Sequence, residues 1–206
     1  MTTRESAPRE LSGAITIREG FTLLLDHRQL ERHRCLTITA GLLRVWAAPC
    51  EEEALQRQPV TLGFLKAGDQ LPLDQLRRTQ LHLQALTSAR LMESRQGLAA
   101  DGNSLHDWTL DMLLIRNLSD AEQRISALLQ LLVTRLGHRC GPWYELQLPL
   151  NHAELAALCG HSRVTVTRQF SRWRDRGLLE QDCAGQRLLR VAPALMGRAP
   201  AAPPRP

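Results

Sequence analysis

The stretch that decides the fold reads Leu150-Asn-His-Ala-Glu-Leu-Ala-Ala-Leu-Cys-Gly-His-Ser-Arg-Val-Thr-Val-Thr-Arg168. Asn151 followed by Glu154 is a capping box, which predicts the start of a short helix. Gly160 can supply the positive φ that a tight turn often needs. Ser162 is a good cap for a second, longer helix. Two helices joined by about three residues that include a glycine form a helix-turn-helix.

The second helix is predicted to run from Arg163 to Arg176 and to end at Gly177. Val166, Phe170 and Trp173 follow spacings of four and three residues, so they share one helical face. We expect that face to pack against the first helix. The opposite face is then exposed to solvent or to a ligand.

The residues at the N-terminal end of the second helix are suited to reading DNA. The first turns of a recognition helix enter the major groove, where arginine can bond guanine O6 and N7 together. Methyl groups of Val164 and Thr167 suit thymine, and Thr165 and Arg172 suit phosphate. A solvated helix face explains any single arginine equally well, whereas the whole arrangement is specific. The candidate DNA-binding residues are Ser162, Arg163, Val164, Thr165, Thr167, Arg168 and Arg172.

A predicted hairpin and the charge distribution support nucleic acid as the partner. Leu178-Leu-Glu180 and Arg187-Leu-Leu-Arg-Val191 predict two strands that form a wing. Residues 1–118 hold 14 basic and 14 acidic side chains, and residues 119–206 hold 12 basic and 7 acidic. The whole net charge of +5 therefore lies in the C-terminal part, as expected of a nucleic-acid-binding domain.

The N-terminal part reads as short strands followed by a helix. Strand patterns recur between residues 15 and 92, which predicts a small antiparallel barrel or sandwich. After Asp101-Gly-Asn103 an apolar seam begins at helical spacing, and a second apolar face accompanies it. Spacing alone slightly favours one buried helix within a monomer. The seam consists of Leu105, Trp108, Met112 and Ile115, and the second face of Leu110, Leu113 and Leu114.

From about residue 15 to 191 the sequence resembles the CRP/FNR family of bacterial regulators. The resemblance is strong over the quoted helix-turn-helix and weaker over Thr39-Ala-Gly-Leu-Leu-Arg-Val45 and Thr61-Leu-Gly-Phe-Leu-Lys-Ala-Gly-Asp69. The recognition helix is most similar to the cyanobacterial global nitrogen regulators (NtcA). The resemblance implies that Arg163, Val164 and Arg168 read bases in a two-fold operator with GTA-type half-sites. It also implies that Leu105, Trp108, Met112 and Ile115 form a dimer interface.

The implied fold class is α+β. We expect an N-terminal shortened antiparallel β-roll, a cupin-like sensor; a long dimerisation helix; and a C-terminal winged helix-turn-helix. Disordered ends are expected on each side, because the first residues are polar and the last are proline-rich. The predicted segments are 1–10 disordered, 11–102 β-roll, 103–118 dimerisation helix, 119–192 winged helix-turn-helix, and 193–206 disordered.

The sensor part departs from the cyclic-nucleotide members of the family. Those members carry a glycine-glutamate segment, a short helix and a phosphate-binding arginine, where this chain has Gln70-Leu-Pro-Leu-Asp-Gln-Leu-Arg-Arg-Thr-Gln-Leu81. Pro72 removes an amide donor. We therefore expect no cAMP binding, doubt 2-oxoglutarate binding, and predict no cofactor. Arg77 and Arg78 offer an anion site, although a solvated strand end explains them better.

Other sensor chemistries and catalysis have little support in the sequence. No cysteine precedes Cys35, which argues against an N-terminal iron–sulfur cluster. Haem could be held by His27, His33 or His82, although their spacing does not require it. The sequence carries no Ser/His/Asp arrangement, phosphate loop, catalytic carboxylate pair or metal-ligand motif, so we expect no enzyme. It also lacks a secretion signal and a membrane span, which predicts a cytoplasmic protein.

The function we expect is a homodimeric transcription regulator that binds double-stranded DNA. The alternative is a dimeric co-regulator or interaction module of the same fold, controlled by a partner protein or an unknown ligand. RNA polymerase is a further expected partner if the protein activates transcription. Effector, target genes and the direction of regulation stay open at this stage.

Overall fold

The computed structural model describes residues 14–25, 35–49, 59–73, 79–94, 104–181 and 188–197. The chain divides into two compact units, Met1–Trp108 and Thr109–Pro206. The boundary between the two units falls inside the helix Ser104–Arg116. The predicted disorder of residues 1–10 lies outside the described residues, as does that of the last nine.

The first unit is built from eight strands. They are β1 (Ala14–Ile17), β2 (Thr22–Leu25), β3 (Cys35–Ala40), β4 (Leu42–Pro49), β5 (Val60–Lys66), β6 (Gln70–Pro72), β7 (Thr79–Ala85) and β8 (Ala89–Ser94). Two four-stranded antiparallel sheets result, ordered β1-β8-β3-β6 and β2-β7-β4-β5. The predicted antiparallel β-domain is confirmed.

The sheets of the first unit are held by alternating apolar side chains. On β4, Leu43 and Val45 are fully buried, and on β7 Leu81 and Leu83 are fully buried with them. Alternation with period two places such residues on one face of a strand. Pro72 lies on β6, which is the outer strand of its sheet, where a missing N–H costs no ladder hydrogen bond.

Helix α1 (Ser104–Arg116) carries the apolar seam predicted as the dimer interface. All four seam residues are buried within the single chain, and the second apolar face is exposed instead. Side chains that are already buried leave little surface for a partner, so the burial pattern favours the second apolar face as the surface that a second copy would contact, while the predicted interface stays a prediction. The exposed fractions are 7 % for Leu105, 2 % for Trp108, 5 % for Met112 and 8 % for Ile115, against 46 % for Leu110, 52 % for Leu113 and 66 % for Leu114.

The contacts of Trp108 show how the seam is buried against strand β5 of the same chain. Its ring meets Phe64 edge-on, with 5.2 Å between the ring centroids. A Cβ added to Gly63 would lie 2.5 Å from the Cβ of Trp108, which is closer than real carbon atoms approach. Strand β5 therefore needs a glycine at this point, because the helix packs directly on its backbone. The pairing of Gly63 with Trp108 is a tertiary feature that heptad spacing alone does not reveal.

The second unit contains the other helices and a small sheet. Its helices are α2 (Ala121–Leu136), α3 (His152–Cys159), α4 (Arg163–Asp175) and α5 (Pro193–Met196), and its strands are β9 (His138–Cys140), β10 (Trp143–Gln147), β11 (Leu179–Gln181) and β12 (Leu188–Val191). The strands form one antiparallel sheet in the order β11-β12-β10-β9. Helix α2 buries its apolar face, including Leu128, Leu129 and Leu132.

Helix α2 is capped by Asp120, whose side chain accepts from the N–H of Gln123. One local prediction in the second unit needs correction. Residues 193–196 form a single helical turn where disorder was predicted. Pro193 is tolerated there because the first helical position needs no N–H. The Gln130 side chain also donates to the carbonyl of Leu195 at 2.7 Å, which ties this turn to α2.

Candidate nucleic-acid interface

Helix α3 begins as the sequence predicted. The Asn151 side chain accepts from the N–H groups of Ala153 and Glu154 at 2.9 and 3.0 Å. The Glu154 carboxylate accepts from the Asn151 N–H at 2.8 Å, which completes the capping box. Gly160 follows the helix with φ +71°, a left-handed conformation that glycine adopts without strain. The chain can therefore turn sharply into α4.

Helix α4 keeps one apolar face inward, as its phase predicted. Val166, Phe170 and Trp173 are 0, 2 and 1 % exposed. Burying three side chains of this size is worth several kcal/mol at about 1.5–3 kcal/mol each. Gln169 is also buried, at 6 % exposure, which the sequence pattern did not reveal. The buried face fixes the rotation of α4 about its axis.

The opposite face of α4 is exposed and basic. Arg163, Arg168 and Arg172 are exposed, and Val164 is 58 % exposed. Arg174 and Arg176 add two further exposed guanidinium groups toward the C-terminal end. The first turn of α4 contains no acidic residue. An exposed helix start with this charge presents donors and a positive potential to an anionic groove.

The three hydroxyl candidates are engaged in local hydrogen bonds. Ser162 caps α4, because its Oγ accepts from the Thr165 N–H at 3.2 Å and lies 2.9 Å from the Thr165 Oγ1. The Thr167 Oγ1 lies 2.9 Å from the Nδ1 of His152 on α3. Thr165 and Thr167 are accordingly half-buried. Thr165 and Thr167 therefore offer less surface to a DNA ligand than the arginines and Val164 do.

His152 is a residue whose role sequence reasoning missed. Its ring meets Phe170 edge-on at 4.9 Å between centroids while its Nδ1 contacts Thr167, so it braces α3 against α4. Burial lowers the pKa of His152 below its ordinary value, and the positive charges of Arg174 and Arg163 lower this pKa further. The ring is therefore neutral at neutral pH and acts as a hydrogen-bonding spacer.

We predict that acidification destabilises the second unit through His152. The pKa of this group is 6.5 in the unfolded reference and lower in the folded chain. Below that reference value the unfolded state binds more protons, so the free energy of unfolding falls as the pH drops through the folded pKa. Denaturant unfolding at a series of pH values measures the slope of the free energy of unfolding against pH. His152→Gln should flatten it, and an unchanged slope in the variant would assign the effect to other groups, among them His82.

The wing strands are present and their charges are paired. Strands β11 and β12 are antiparallel, with Leu179 opposite Val191. Arg190 donates to the Glu145 carboxylate at 2.9 Å and lies 3.8 Å from that of Glu180. Hydrogen bonding to Glu145 raises the pKa of Arg190. The tip of the wing, residues 182–187, lies outside the described residues.

Of the residues considered for haem or for an anion, the structure describes His82. The His82 ring stacks on Trp46 at 3.6 Å between centroids, its Nε2 is buried, and burial lowers its pKa, which favours a structural role. His27, His33, Arg77 and Arg78 lie outside the described residues, as do Cys50 and Cys183. Within the part of the chain that is described, no three His, Cys, Asp or Glu side chains are grouped to hold a metal ion. No helix there is long and apolar enough to cross a membrane.

The cysteines differ sharply in exposure. Cys35 and Cys159 are buried, and Cys140 is exposed. The Cys159 Sγ donates to the carbonyl of Leu155 at 3.2 Å, and burial raises the pKa of this thiol. A raised pKa keeps the reactive thiolate scarce. Cys159 is therefore a structural residue of α3.

Two family models match the chain, and each covers one of its two parts. The cyanobacterial CRP family N-terminal domain matches residues 15–104. The Crp-like helix-turn-helix domain matches residues 123–194, which include the whole of α3 and α4. The chain belongs to the CRP/FNR family. Its members are transcription regulators with a helix-turn-helix DNA-binding domain, and they are not enzymes. No curated protein sequence matches this chain significantly.

Solved structures of CRP/FNR regulators share the fold. A CRP/FNR family transcriptional regulator from Thermus thermophilus aligns with a TM-score of 0.64 at 20 % identity, over 89 % of this chain and 98 % of that one. A CooA mutant from Carboxydothermus hydrogenoformans aligns with a TM-score of 0.61 at 20 % identity, over 87 % and 83 %. FixK2 from Bradyrhizobium japonicum aligns with a TM-score of 0.61 at 14 % identity, over 88 % and 92 %. At these identities the likeness establishes the architecture alone.

Proposed function

We propose that this CRP/FNR regulator is a sequence-specific DNA-binding protein whose α4 reads base edges in the major groove. The observation that carries the proposal is the division of α4 into two faces. Val166, Phe170 and Trp173 fix the helix from inside, and Arg163 and Arg168 stand exposed at its N-terminal end. A rigid helix with arginines at its start is the geometry that bidentate guanine recognition needs.

We propose further that the protein acts as a homodimer through α1. Leu110, Leu113 and Leu114 form an apolar face on this helix, and all three are exposed in the single chain. Leu110 and Leu114 lie four residues apart and Leu113 three from Leu110, so they share one side of the helix. Exposed leucines at this spacing are typical of a helix that pairs with a second copy. CRP-family regulators are typically dimers.

The operator we propose has two-fold symmetry. A symmetric dimer places its two recognition helices in half-sites about 34 Å apart, one turn of DNA. The similarity of Arg163, Val164 and Arg168 to the nitrogen-regulator branch suggests GTA-type half-sites. Val164 is 58 % exposed and can contact a thymine methyl group beside the bases that the arginines read.

DNA binding is proposed to need no cAMP. Six residues, 73–78, separate the end of β6 from the start of β7. A phosphate-binding cassette with its own short helix does not fit in so short a connection. Pro72 at the end of β6 also lacks the N–H group that an anion site uses. A different effector, or control through a partner protein, is compatible with this proposal.

Arg172 offers a contrast with Arg168. Arg172 lies one helical turn further along α4 and is exposed, which suits a phosphate contact. We expect Arg172→Ala, which removes one proposed phosphate contact from each subunit of the dimer, to weaken binding to all duplexes alike. It should reduce the slope of log affinity against log salt concentration by about 1.8, or about 0.9 per contact. Anisotropy titrations at several salt concentrations measure both quantities. A weakening confined to the operator would instead place Arg172 among the base-reading residues.

Selection from a pool of random duplexes tests the proposed operator without assuming its sequence. The purified protein, with no ligand added, is taken through several rounds of binding, and the retained duplexes are sequenced. We expect a two-fold motif whose half-sites lie one DNA turn apart. Enrichment of a single asymmetric half-site would contradict the proposed dimer, and retention of duplexes without any common motif would contradict sequence-specific reading.

A further inference from the structure

The C-terminal end of α3 receives two of its hydrogen bonds from another helix. The last four carbonyl oxygens of an α-helix have no donor within the helix, and in α3 these belong to residues 156–159. The Ala156 oxygen accepts from the N–H groups of Gly160 and His161, in the turn that follows. The turn thus serves the first of the four oxygens, and the next two are served from elsewhere.

The donor to those two oxygens is Arg116, the last residue of α1. Its Nη2 donates to the Ala157 carbonyl at 2.6 Å, and its Nε donates to the Leu158 carbonyl at 3.1 Å. A guanidinium presents several N–H groups in one rigid plane, so it can serve two neighbouring oxygens in a fixed geometry, which the rotatable ammonium of a lysine does not provide. Its positive charge is also favoured at the C-terminal end of a helix.

The end of α1 is itself fixed within the second unit. Asp111 on α1 forms an ion pair with Arg135 on α2. Arg124 on α2 donates to the carbonyl of Leu118 in the connection between the two helices. The position of Arg116 is therefore fixed relative to α2, because one contact with α2 precedes this residue in the chain and the other follows it.

A short path joins Arg116 to the exposed face of α4. A Cβ added to Gly160 would lie 3.8 Å from the Arg116 side chain, so Arg116 stands beside the turn between α3 and α4. Ser162, the cap of α4, follows the Leu158 carbonyl by four residues. At the other end of α3, His152 contacts Thr167 on α4. Because the connection is short and both ends of α3 are in contact with neighbouring groups, a displacement of the C-terminal end of α3 would also displace the start of α4.

We propose that Arg116 is a positioning residue that fixes the α3–α4 pair relative to the end of α1. It thereby sets the angle and, in a dimer formed through α1, the separation at which the two copies of α4 meet DNA. This inference rests on the proposed function, because it concerns how the DNA-reading face is held. Arg116 acts through the α3–α4 pair and does not itself contact the DNA.

The test compares Arg116→Ala and Arg116→Lys with Arg18→Ala, which removes an equal charge from an exposed position in the first unit. Affinities are measured by anisotropy for the operator, a scrambled duplex, and operators with the spacer one base pair shorter or longer. We expect Arg116→Ala to lower operator affinity about tenfold, to leave scrambled-duplex affinity unchanged, and to weaken the preference for one spacer. Arg116→Lys should fall between wild type and the alanine variant.

Unfolding curves recorded on the same samples separate positioning from simple stabilisation. A purely structural Arg116 would lower the unfolding midpoint and leave both the operator preference and the spacer preference of the folded protein unchanged. That result, or wild-type preferences in both Arg116 variants, would overturn the inference. If Arg116→Ala does not fold, the spacer preference of Arg116→Lys tests the inference: a weakened preference supports it, and a wild-type preference overturns it. A wild-type protein that does not distinguish operator from scrambled duplex would instead count against the proposed function.

Discussion

Replacing Leu113 and Leu114 by glutamate should convert the protein to a monomer and remove tight operator binding. Both side chains are more than half exposed in the single chain, at 52 and 66 %. Four negative charges would then meet across the proposed two-fold interface, and such like-charge contacts are unfavourable. A monomer engages one half-site at a time, so operator affinity should fall by roughly 10²–10⁴-fold.

Glutamate is a suitable replacement because it keeps α1 helical. The matched control is Met92→Glu, since Met92 is an exposed apolar residue of the first unit with 53 % exposure. Sedimentation velocity reports the oligomeric state, and anisotropy reports DNA binding. A double variant that stays dimeric would place the interface on another surface, and a monomer that keeps full operator affinity would show that dimerisation is not required.

Removing both Arg163 and Arg168 should abolish discrimination between operator and scrambled DNA. Each bidentate contact to guanine is worth about 1–3 kcal/mol of discrimination. The two residues together should therefore lower operator preference by at least about thirtyfold per half-site. Both side chains are exposed, so stability should stay within about 0.5 kcal/mol of the wild type.

The control for this pair is Arg174→Ala with Arg176→Ala. It removes the same charge from the C-terminal end of α4, where both residues are exposed. If these arginines bind phosphate, their removal would weaken operator and scrambled duplexes equally and would leave the ratio of the two affinities unchanged. If Arg163→Ala with Arg168→Ala also leaves the ratio unchanged, then bases are read elsewhere, and the wing would be the next place to look.

Local features of the helix-turn-helix could be predicted because each depends on residues that are close together in the sequence. The capping box at Asn151, the left-handed Gly160, the cap at Ser162 and the buried face of α4 each follow from spacing within a few residues. Helical phase then divides the second helix into buried and exposed faces. These elements together were sufficient to predict a helix-turn-helix and its candidate DNA-binding residues.

Features that join distant parts of the chain could not be predicted in the same way. The apolar seam and the second apolar face of α1 are alike in spacing. Which of them is buried depends on Gly63, which lets Trp108 pack on the backbone of β5. The contacts of His152 with Thr167 and of Arg116 with the end of α3 also join separate helices. Neither pair has a local sequence pattern that marks it.

The most direct test of sequence-specific reading is an anisotropy titration of the purified wild-type protein at physiological salt with no ligand added. A GTA-N8-TAC duplex is compared with a scrambled duplex of the same composition. We expect the GTA duplex to bind at least about 10³ times more tightly, which would also show that no effector is required. Equal affinity for both duplexes, in a protein whose selection experiment also yields no motif, would contradict sequence-specific reading by α4.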